Sequence, residues 1–272
     1  MWGCENCFIP HDYHIHSHIS TFRIFYTLPL KLDVCFSPDL LPLYDLRGKV
    51  AVIVDVLRAT STIATALAAG VTEVYPVGSL DECAALGREH GCLTAAERDG
   101  VAAPGFDMGN SPFELLHEDF PVRGRALAIS TTNGTRALLG SLAAEAIVCG
   151  AFINLQAVAE FCAARQLDIV VVAAGWKGQF CLEDTLLAGA LAERLLPLGL
   201  AINHSDAALA AYQLWQNARA DLPGYLLESA AVVRLRKLEA NDDYLFCTKI
   251  DIYPEVLPLW DGQKLVRGSS AA

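Results

Sequence analysis

The sequence predicts an α/β protein, with helices layered on both faces of a mainly parallel or mixed sheet and with strand–loop–helix units arranged in one domain or two lobes. Short apolar runs typical of strands alternate along the chain with longer segments typical of helices. In addition, residues 50–54 are an unbroken, largely β-branched apolar run, as expected of a strand that is buried on both faces. An alanine-rich segment that ends at Gly70 follows this strand and predicts a helix.

In the first half of the chain, strands are predicted at residues 32–36, 50–54, 73–77 and 93–96. Ser79 and Glu82 have the spacing of a capping box and predict a helix start. Residues 101–112 are predicted to form a loop, because glycine and proline are frequent there. Ser111, followed by a proline and by Glu114, predicts that another helix begins at the end of this loop.

In the second half, strands are predicted at residues 126–130, 146–149 and 168–174. Helices are expected up to about residue 142, over residues 155–165, and from 183 to about 196. Residues 205–238 are predicted to be mainly helical, with an interruption at 222–224. Residues 244–266 are expected to add strands or an edge to the sheet.

Composition and charge limit the possible partners. The 272 residues are 53% hydrophobic and only 19% charged, which favours a compact globule over a disordered chain. The net charge of −11 excludes a basic surface stripe, so nucleic acid is not an expected partner. Apolar runs are all shorter than the roughly 18–20 residues of a membrane helix. Nine cysteines, mostly isolated in apolar runs, indicate reduced thiols and predict a cytoplasmic protein.

Residues 1–30 differ from the remainder of the chain. They contain Cys4, Cys7 and four of the seven histidines, a combination that suits zinc. However, the spacer is too short for a zinc finger and no apolar core surrounds it, so a disordered or wrongly assigned leader is the preferred interpretation. Residues 31–272 are then expected to form a single catalytic unit, in one domain or two lobes.

Three loops have the composition of anion sites at helix starts: residues 55–62, 105–112 and 131–136. A helix start offers free N–H groups and a partial positive charge, to which hydroxyl, amide and guanidinium groups add further donors. Each hydroxyl could instead be an ordinary helix cap, and for Ser111 the cap is the favoured interpretation. The candidate substrate-binding residues are Thr60, Ser61, Arg98, Asn110, Ser111, Thr131, Thr132, Asn133, Gly134, Thr135 and Arg136.

Asp107 in the second loop is one acidic candidate, but the three preferred are Asp55, directly after the buried strand, and Glu183 with Asp184 at the start of a later helix. Carboxylate oxygens beside a phosphorylated substrate favour Mg²⁺, so these three residues are the predicted metal ligands. Glu183 and Asp184 could alternatively complement the positive end of their helix. Asp55 and Arg58 are the predicted catalytic residues, acting on a small phosphorylated anion.

Four motifs in order complete this pattern: D-V-L-R-A-T-S-T from residue 55, G-F-D-M-G-N-S-P from 105, T-T-N-G-T-R-A from 131, and A-G-x-x-G-x-x-x-x-E-D from 174. Together they resemble the ComB-type 2-phosphosulfolactate phosphatases over residues 31–266. The resemblance implies a Mg²⁺-dependent enzyme that hydrolyses 2-phospho-3-sulfolactate to sulfolactate and phosphate, as in coenzyme M biosynthesis. It also implies a two-lobed α/β fold and a homodimer.

The chain departs from the family pattern at two positions. Ala96 stands where the family usually has glycine, although the acid and the base that follow it are kept. A histidine that often follows the serine at position 229 is replaced by alanine. If that histidine contributes to substrate choice, the ester that this chain hydrolyses could differ.

Three other functions share parts of this sequence pattern. A non-catalytic protein that binds a small phosphorylated or sulfonated metabolite would need the three loops but not the acids. A haloacid-dehalogenase-type phosphatase is disfavoured, because its second aspartate would fall at Leu57. A dinucleotide-binding domain is also disfavoured, because no G-x-G-x-x-G follows a predicted strand.

Overall fold

The computed structural model describes residues 30–200 and 205–269. Of the leader predicted at residues 1–30, residues 1–29, which include its cysteines and histidines, lie outside the described residues. The predictions made for it, and the boundary that it was expected to set, stay predictions.

The described residues contain ten strands, numbered here in chain order. They are β1 (Leu32–Cys35), β2 (Val50–Val54), β3 (Glu73–Pro76), β4 (Leu93–Arg98), β5 (Val101–Ala102), β6 (Leu127–Ser130), β7 (Ala146–Gly150), β8 (Ile169–Ala173), β9 (Leu257–Trp260) and β10 (Leu265–Gly268).

Nine α-helices occupy much of the remaining described chain. They are α1 (Ala59–Ala69), α2 (Leu80–His90), α3 (Gly134–Leu139), α4 (Leu155–Arg165), α5 (Leu182–Leu195), α6 (Asp206–Ala218), α7 (Leu222–Leu226), α8 (Ala230–Lys237) and α9 (Asn241–Cys247). Short 3-10 helices are present at Pro38–Leu43, Glu114–Leu116, Phe152–Asn154 and Leu196–Leu198.

All ten strands belong to one mixed sheet in the order β1-β8-β2-β7-β9-β10-β3-β6-β4-β5. Strands β1, β8, β2 and β7 are parallel to one another, and so are β3, β6 and β4. The antiparallel hairpin β9–β10 joins these two parallel groups, pairing with β7 on one side and β3 on the other. The expected α/β class with a mainly parallel, mixed sheet is confirmed.

Two apolar cores lie on opposite faces of the sheet because successive strand residues point to opposite faces. On one face, Val52 and Val54 of β2 belong to the same core as Leu187 of α5. On the other face, Ile53 packs in the core that contains Leu67 of α1. Burial on both faces explains why this strand reads as a continuous apolar run rather than an alternating one.

The C-terminal segment agrees with one of its two predicted alternatives, added strands, and not with the other, an edge. It does supply strands, but they form the centre of the sheet rather than an edge: Leu259 of β9 lies opposite Val148, and Leu265 of β10 lies opposite Val74. Pro258 within β9 is a residue usually found on edge strands, which explains the wrong expectation. Residues 244–247, also expected to be extended, belong to α9.

The helix predicted to begin at Ser111 is only a single 3-10 turn, Glu114–Leu116. Ser111 Oγ does accept a hydrogen bond from the Phe113 N–H at 3.2 Å. The Glu114 carboxylate, however, accepts from the Gly109 N–H at 2.7 Å and so does not close a capping box. Ser111 and Glu114, which predicted a helix start, therefore bond to backbone N–H groups of the loop instead.

The predicted interruption near residue 222 is the start of α7. Asp221 caps this helix by accepting a hydrogen bond from the Gly224 N–H at 3.0 Å, and the proline lies in its first turn. Across residues 30–200 and 205–269, no helix is both long and apolar enough to cross a membrane.

Candidate active site

A cavity of about 450 Å³, measured with its open mouth, lies at the carboxyl end of β2. All three predicted loops contribute to its lining: Asp55 and Arg58 from the first, Asn110 from the second and Asn133 from the third. Glu97, near the end of β4, lines the same cavity. The structure therefore brings residues that are up to 78 positions apart to one place, as the sequence predicted for the loops.

Asp55 is fixed by the start of α1. Its Oδ1 accepts a hydrogen bond from the Ala59 N–H at 3.2 Å. Its own N–H donates to Thr60 Oγ1 at 3.1 Å, and the Thr60 hydroxyl donates to the Asp55 carbonyl at 2.9 Å. Thr60 is therefore occupied by the backbone of its own loop. Ser61 is used in the same way, because its Oγ donates to the Val56 carbonyl at 2.8 Å.

Gly134 brings the third loop against this carboxylate. A Cβ atom at this position would lie 2.9 Å from Asp55 Oδ2 and 2.9 Å from the Cβ of Ala59. Such distances are shorter than side chains tolerate, so only glycine permits this close approach. Gly134 thus contributes close packing against Asp55 and does not itself line the cavity.

Glu97 is a buried carboxylate that the sequence analysis did not select as a site residue. Its Oε1 accepts from the Thr132 N–H at 2.8 Å and from the Thr132 hydroxyl at 3.0 Å, and its Oε2 accepts from the Gly100 N–H at 2.6 Å. Thr132 therefore holds Glu97. The adjacent Arg98 is exposed and donates to the Glu97 carbonyl at 2.6 Å and to Ser130 Oγ at 3.2 Å.

Asp184 connects two loops from beneath the cavity. Its Oδ1 accepts from the Val56 N–H at 2.9 Å, and its Oδ2 accepts from the Gly175 N–H at 3.2 Å. It is buried, as is Glu183, and neither residue lines the cavity. The two predicted metal ligands at the start of α5 therefore lie behind the cavity, whereas Asp55 lines it.

Burial and mutual repulsion raise the pKa values of these acids. Burial is the main reason that the pKa of Asp55 rises to about 7, and the negative charges of Glu97 and Glu183 add to it. Burial also raises the pKa of Glu183. The pKa of Asp184 is raised by burial and then by the charges of Glu183 and Asp55. The site therefore has a deficit of positive charge, which a bound cation would correct.

The fit of Mg²⁺ can be judged from the available oxygens. No group of three or more histidine, cysteine, aspartate or glutamate side chains among the described residues is arranged as a metal cage. Mg²⁺ does not need one, because it usually takes one or two protein oxygens and keeps water and substrate oxygens. Asn110 Oδ1 is buried without a hydrogen-bond partner, and Asn110 lines the cavity together with Asp55. This pair of hard oxygen donors fits the ion.

Arg58 is locked in place at the cavity wall. Its guanidinium forms a buried ion pair with Asp243 of α9 and also donates to the Gly100 carbonyl at 2.8 Å. The Ser111 hydroxyl donates to the other carboxylate oxygen of Asp243. The sequence did not predict Asp243, because its role depends on a contact that spans 185 residues.

Several predicted residues are directed elsewhere. Thr131 and Thr135 contact each other through their hydroxyl oxygens at 3.4 Å and line a separate internal space. Arg136 pairs with the exposed Asp39 on a different surface. The predicted site residues that do not line the cavity are Thr60, Ser61, Arg98, Ser111, Thr131, Thr132, Gly134, Thr135, Arg136, Glu183 and Asp184.

Two further cavity residues were not predicted. Trp176, from the loop between β8 and α5, and Arg234 of α8 both line the cavity, and the Arg234 guanidinium carbon lies 4.0 Å from the centroid of the indole ring. Trp176 occupies a variable position within the A-G-x-x-G motif, so the motif gave no signal for it. Arg234 lies in the segment 205–238, for which the sequence predicted only a mainly helical structure.

Comparison with known proteins agrees with the motifs. The model of the 2-phosphosulpholactate phosphatase family matches residues 35–262. Relatives named "Probable 2-phosphosulfolactate phosphatase" include proteins from Cyanothece sp., 38% identical over 85% of this chain and 96% of theirs, and from Carboxydothermus hydrogenoformans, 37% identical over 88% and 98%. A relative of the same name from Nostoc sp. is 41% identical over 85% of this chain and 96% of its own. The chain therefore belongs to the 2-phosphosulpholactate phosphatase family, as its four motifs predicted.

Proposed function

We propose that this protein is a Mg²⁺-dependent phosphatase that hydrolyses 2-phospho-3-sulfolactate to sulfolactate and inorganic phosphate. Membership of the family and the names of the relatives support this activity. The observation that carries the proposal is the common cavity in which Asp55, Asn110 and Arg58 meet. This set combines a carboxylate, an unpartnered amide oxygen and a fixed cation, the groups that phosphoryl transfer requires.

Asp55 and Asn110 are the residues that would hold Mg²⁺ at the cavity. When bound, the ion would neutralise negative charge on the transferring phosphoryl group and on its leaving oxygen. Asp184 holds two loops through the Val56 and Gly175 N–H groups, and Glu183 beside it adds negative charge; neither residue lines the cavity. Of the three predicted metal ligands, only Asp55 is kept in this proposal, because Glu183 and Asp184 do not line the cavity.

Arg58 supplies positive charge for the phosphoryl oxygens without having to rearrange. Asp243 and the Gly100 carbonyl hold its guanidinium before the substrate arrives. Preorganised charge of this kind stabilises a transition state more effectively than mobile charge, because no reorganisation accompanies the reaction. Glu97 fixes the third loop through Thr132 and thereby keeps Asn133 at the cavity wall.

The alternative function is a binding protein that retains the phosphorylated metabolite without hydrolysing it. The fixed Arg58 guanidinium would serve such a protein equally well. The Asp55 carboxylate and the unpartnered Asn110 Oδ1 favour the enzyme, because both are acceptors that approach a phosphate only through a bound cation. Release of phosphate separates the two functions.

The test is a phosphate-release assay with 2-phosphosulfolactate and Mg²⁺. We expect turnover that EDTA abolishes and that added Mg²⁺ restores. Asp55→Asn should lower kcat by at least about a thousandfold, because the site loses a charged oxygen next to the reacting group. Binding of the ester without phosphate release would instead identify the binding protein, and turnover that survives EDTA would contradict the metal requirement.

We also propose a cytoplasmic homodimer. The seven cysteines in the described residues are all free and buried, consistent with a reducing compartment. Leu43 and Leu142 are 80% and 52% exposed, and the neighbouring Leu41 and Gly140 line one shallow surface pocket. Exposed apolar side chains at one surface favour contact with a second copy of the chain.

A further inference from the structure

Arg234 and Trp176 form a wall of the cavity that the proposed chemistry has not used. The guanidinium carbon lies 4.0 Å from the indole centroid, a distance typical of a cation–π contact. Both side chains are partly buried, and both line the cavity that contains Asp55. The indole thus holds a planar cation at the cavity surface.

Arg234 carries no ion pair within residues 30–200 and 205–269. The other arginine of the cavity, Arg58, is already bound to Asp243 and to the Gly100 carbonyl. Arg234 is therefore a guanidinium of the cavity wall that, unlike Arg58, forms no ion pair with a carboxylate of the described residues. Its charge is felt within the site, since it opposes the rise in the pKa of Glu183.

The neighbouring Lys177 stabilises this wall. Its Nζ pairs with Asp99 at 2.7 Å, which neutralises a carboxylate at the cavity, and its N–H donates to Asn133 Oδ1 at 3.3 Å. The loop that carries Trp176 is consequently attached to the third loop of the site. The cavity has carboxylates at Asp55 and Glu97 and a cation at Arg234. This uneven distribution of charge favours one orientation of a ligand that has an anionic group at each end, with one of these groups at Arg234.

We infer that Arg234, stacked on Trp176, binds the sulfonate group of the substrate; this inference rests on the proposed function. In 2-phospho-3-sulfolactate the phosphate is attached to the oxygen of C2, and the carboxylate is attached to C2 itself. The sulfonate is on C3, one carbon further from the reacting centre. It therefore suits the wall formed by Arg234 and Trp176, which has no role in the proposed phosphoryl transfer. A guanidinium is planar, weakly hydrated and able to pair with two oxygens at once, which matches a sulfonate.

The test compares two esters, 2-phosphosulfolactate and 2-phospholactate, which has a methyl group in place of the sulfomethyl group. Arg234→Met should lower kcat/KM for the sulfonated ester about 30- to 100-fold, mainly by raising KM, as expected for loss of hydrogen bonds to a charged group. It should change kcat/KM for 2-phospholactate less than about threefold. Arg234→Lys should fall between these values for the sulfonated ester, because it keeps the charge but loses the planar fork.

Arg236→Met is the matched control, because Arg236 lies on the same helix but is exposed and outside the cavity. It should leave kcat/KM for both esters unchanged. An equal loss on both esters with Arg234→Met would overturn the inference, since both esters carry the carboxylate and the phosphate. It would assign Arg234 to one of those shared groups instead.

A binding measurement keeps the inference separate from the proposed function. Titration of the Mg²⁺-loaded protein with sulfolactate should change the tryptophan fluorescence, and Trp176→Phe should remove most of that change. Arg234→Met should weaken sulfolactate binding by at least tenfold. If Arg234→Met weakens the binding of sulfolactate but not that of lactate, and the protein releases no phosphate, the inference holds and the phosphatase proposal fails. Sulfolactate affinity that is unaffected by Arg234→Met overturns the inference whatever the assay shows.

Discussion

The position of the Asp55 carboxylate depends on Gly134, a residue without a side chain. Asp55 Oδ1 is held by the Ala59 N–H, so the position of the carboxylate is set by the start of α1. The third loop approaches the other carboxylate oxygen only because position 134 has no Cβ. The geometry of the acid thus depends on two loops that meet with little free space between them.

Gly134→Ala tests this dependence. The new methyl group would lie 2.9 Å from Asp55 Oδ2, so the loop or the carboxylate must move. We expect phosphate release to fall about 100-fold, because displacements near 1 Å in a catalytic site have effects of this size. The free energy of unfolding should fall by about 1–3 kcal/mol, the usual cost of overpacking.

Gly78→Ala provides the control for a glycine that has room. Its Cβ would lie 3.6 Å from the nearest atom, an ordinary contact, and its φ is not positive. Urea unfolding and phosphate release should therefore stay close to those of the original protein. If Gly134→Ala were as active as Gly78→Ala, close packing against Asp55 would not matter for catalysis.

At the level of single residues, Asp55 and the two predicted amides reach the cavity, whereas the predicted hydroxyls and the acids Glu183 and Asp184 do not. Asp55, Asn110 and Asn133 follow predicted strands or loops and do reach the cavity. Thr60 and Ser61 belong to the first loop, as predicted, but their hydroxyl groups donate hydrogen bonds to nearby backbone carbonyls. A sequence pattern cannot distinguish such a bond from contact with a ligand. The fate of a hydroxyl depends on distances of a few tenths of an ångström, which are properties of the folded chain.

At the level of elements, α9 completes the site although its sequence contains no recognisable motif. Asp243 on this helix accepts hydrogen bonds from Arg58 of the first loop and from Ser111 of the second. The helix therefore fastens two of the three loops to each other. Local patterns predict helices and strands because periodicity is local, but they do not reveal which helix faces which loop.

Asp243→Ala should release this connection. The Arg58 guanidinium would stay buried with the Gly100 carbonyl as its remaining partner, and breaking a buried pair in this way typically costs about 3–5 kcal/mol. We expect the free energy of unfolding to fall by that amount and kcat to fall at least tenfold, because Arg58 is no longer held. Chemical denaturation and steady-state kinetics measure the two effects.

Two further variants make the test specific. Asp243→Asn keeps an acceptor for the guanidinium and should lose less stability than Asp243→Ala. Asp242→Ala removes the adjacent acid, which is exposed, and should have little effect on either property. The idea that α9 positions Arg58 would be abandoned if Asp243→Ala reduced stability without reducing kcat.

At the level of the whole molecule, two parallel groups of strands are joined by a hairpin from the C-terminal part of the chain. The parallel groups were predictable, since β-branched apolar runs such as β2 and β8 indicate strands with both faces covered. The central place of β9 and β10 was not, because strand order depends on long-range pairing and the two strands are short. The hairpin links the group that carries Asp55 to the group that carries Glu97.

The acids gathered beneath the cavity make the stability of the protein depend on pH. The pKa of Asp55 is about 7 in the folded protein, whereas its ordinary value is 3.8, because burial and the charges of Glu97 and Glu183 oppose ionisation. Between about pH 4 and pH 7 the unfolded chain has therefore lost a proton that the folded protein keeps. Stability must fall as the pH rises through this window and should level off above it.

We expect the unfolding temperature in EDTA to fall by several degrees between pH 5 and pH 8. Asp55→Asn, which cannot ionise, should flatten this dependence and raise the unfolding temperature at pH 8, while it removes phosphatase activity. Mg²⁺ should stabilise the original protein at pH 8 more than it stabilises the variant, because a ligand that binds only the folded state raises its stability.

Asp119→Asn, at an exposed position, serves as the control and should follow the original protein. A pH profile that Asp55→Asn leaves unchanged would show that this carboxyl is not the source of the dependence. If instead the inactive variant is the more stable protein at pH 8, the carboxylate is retained at a cost to folding. Activity accounts for this cost to stability, because the burial that destabilises the charged carboxylate also strengthens its attraction to Mg²⁺, and through the ion its effect on the phosphoryl group.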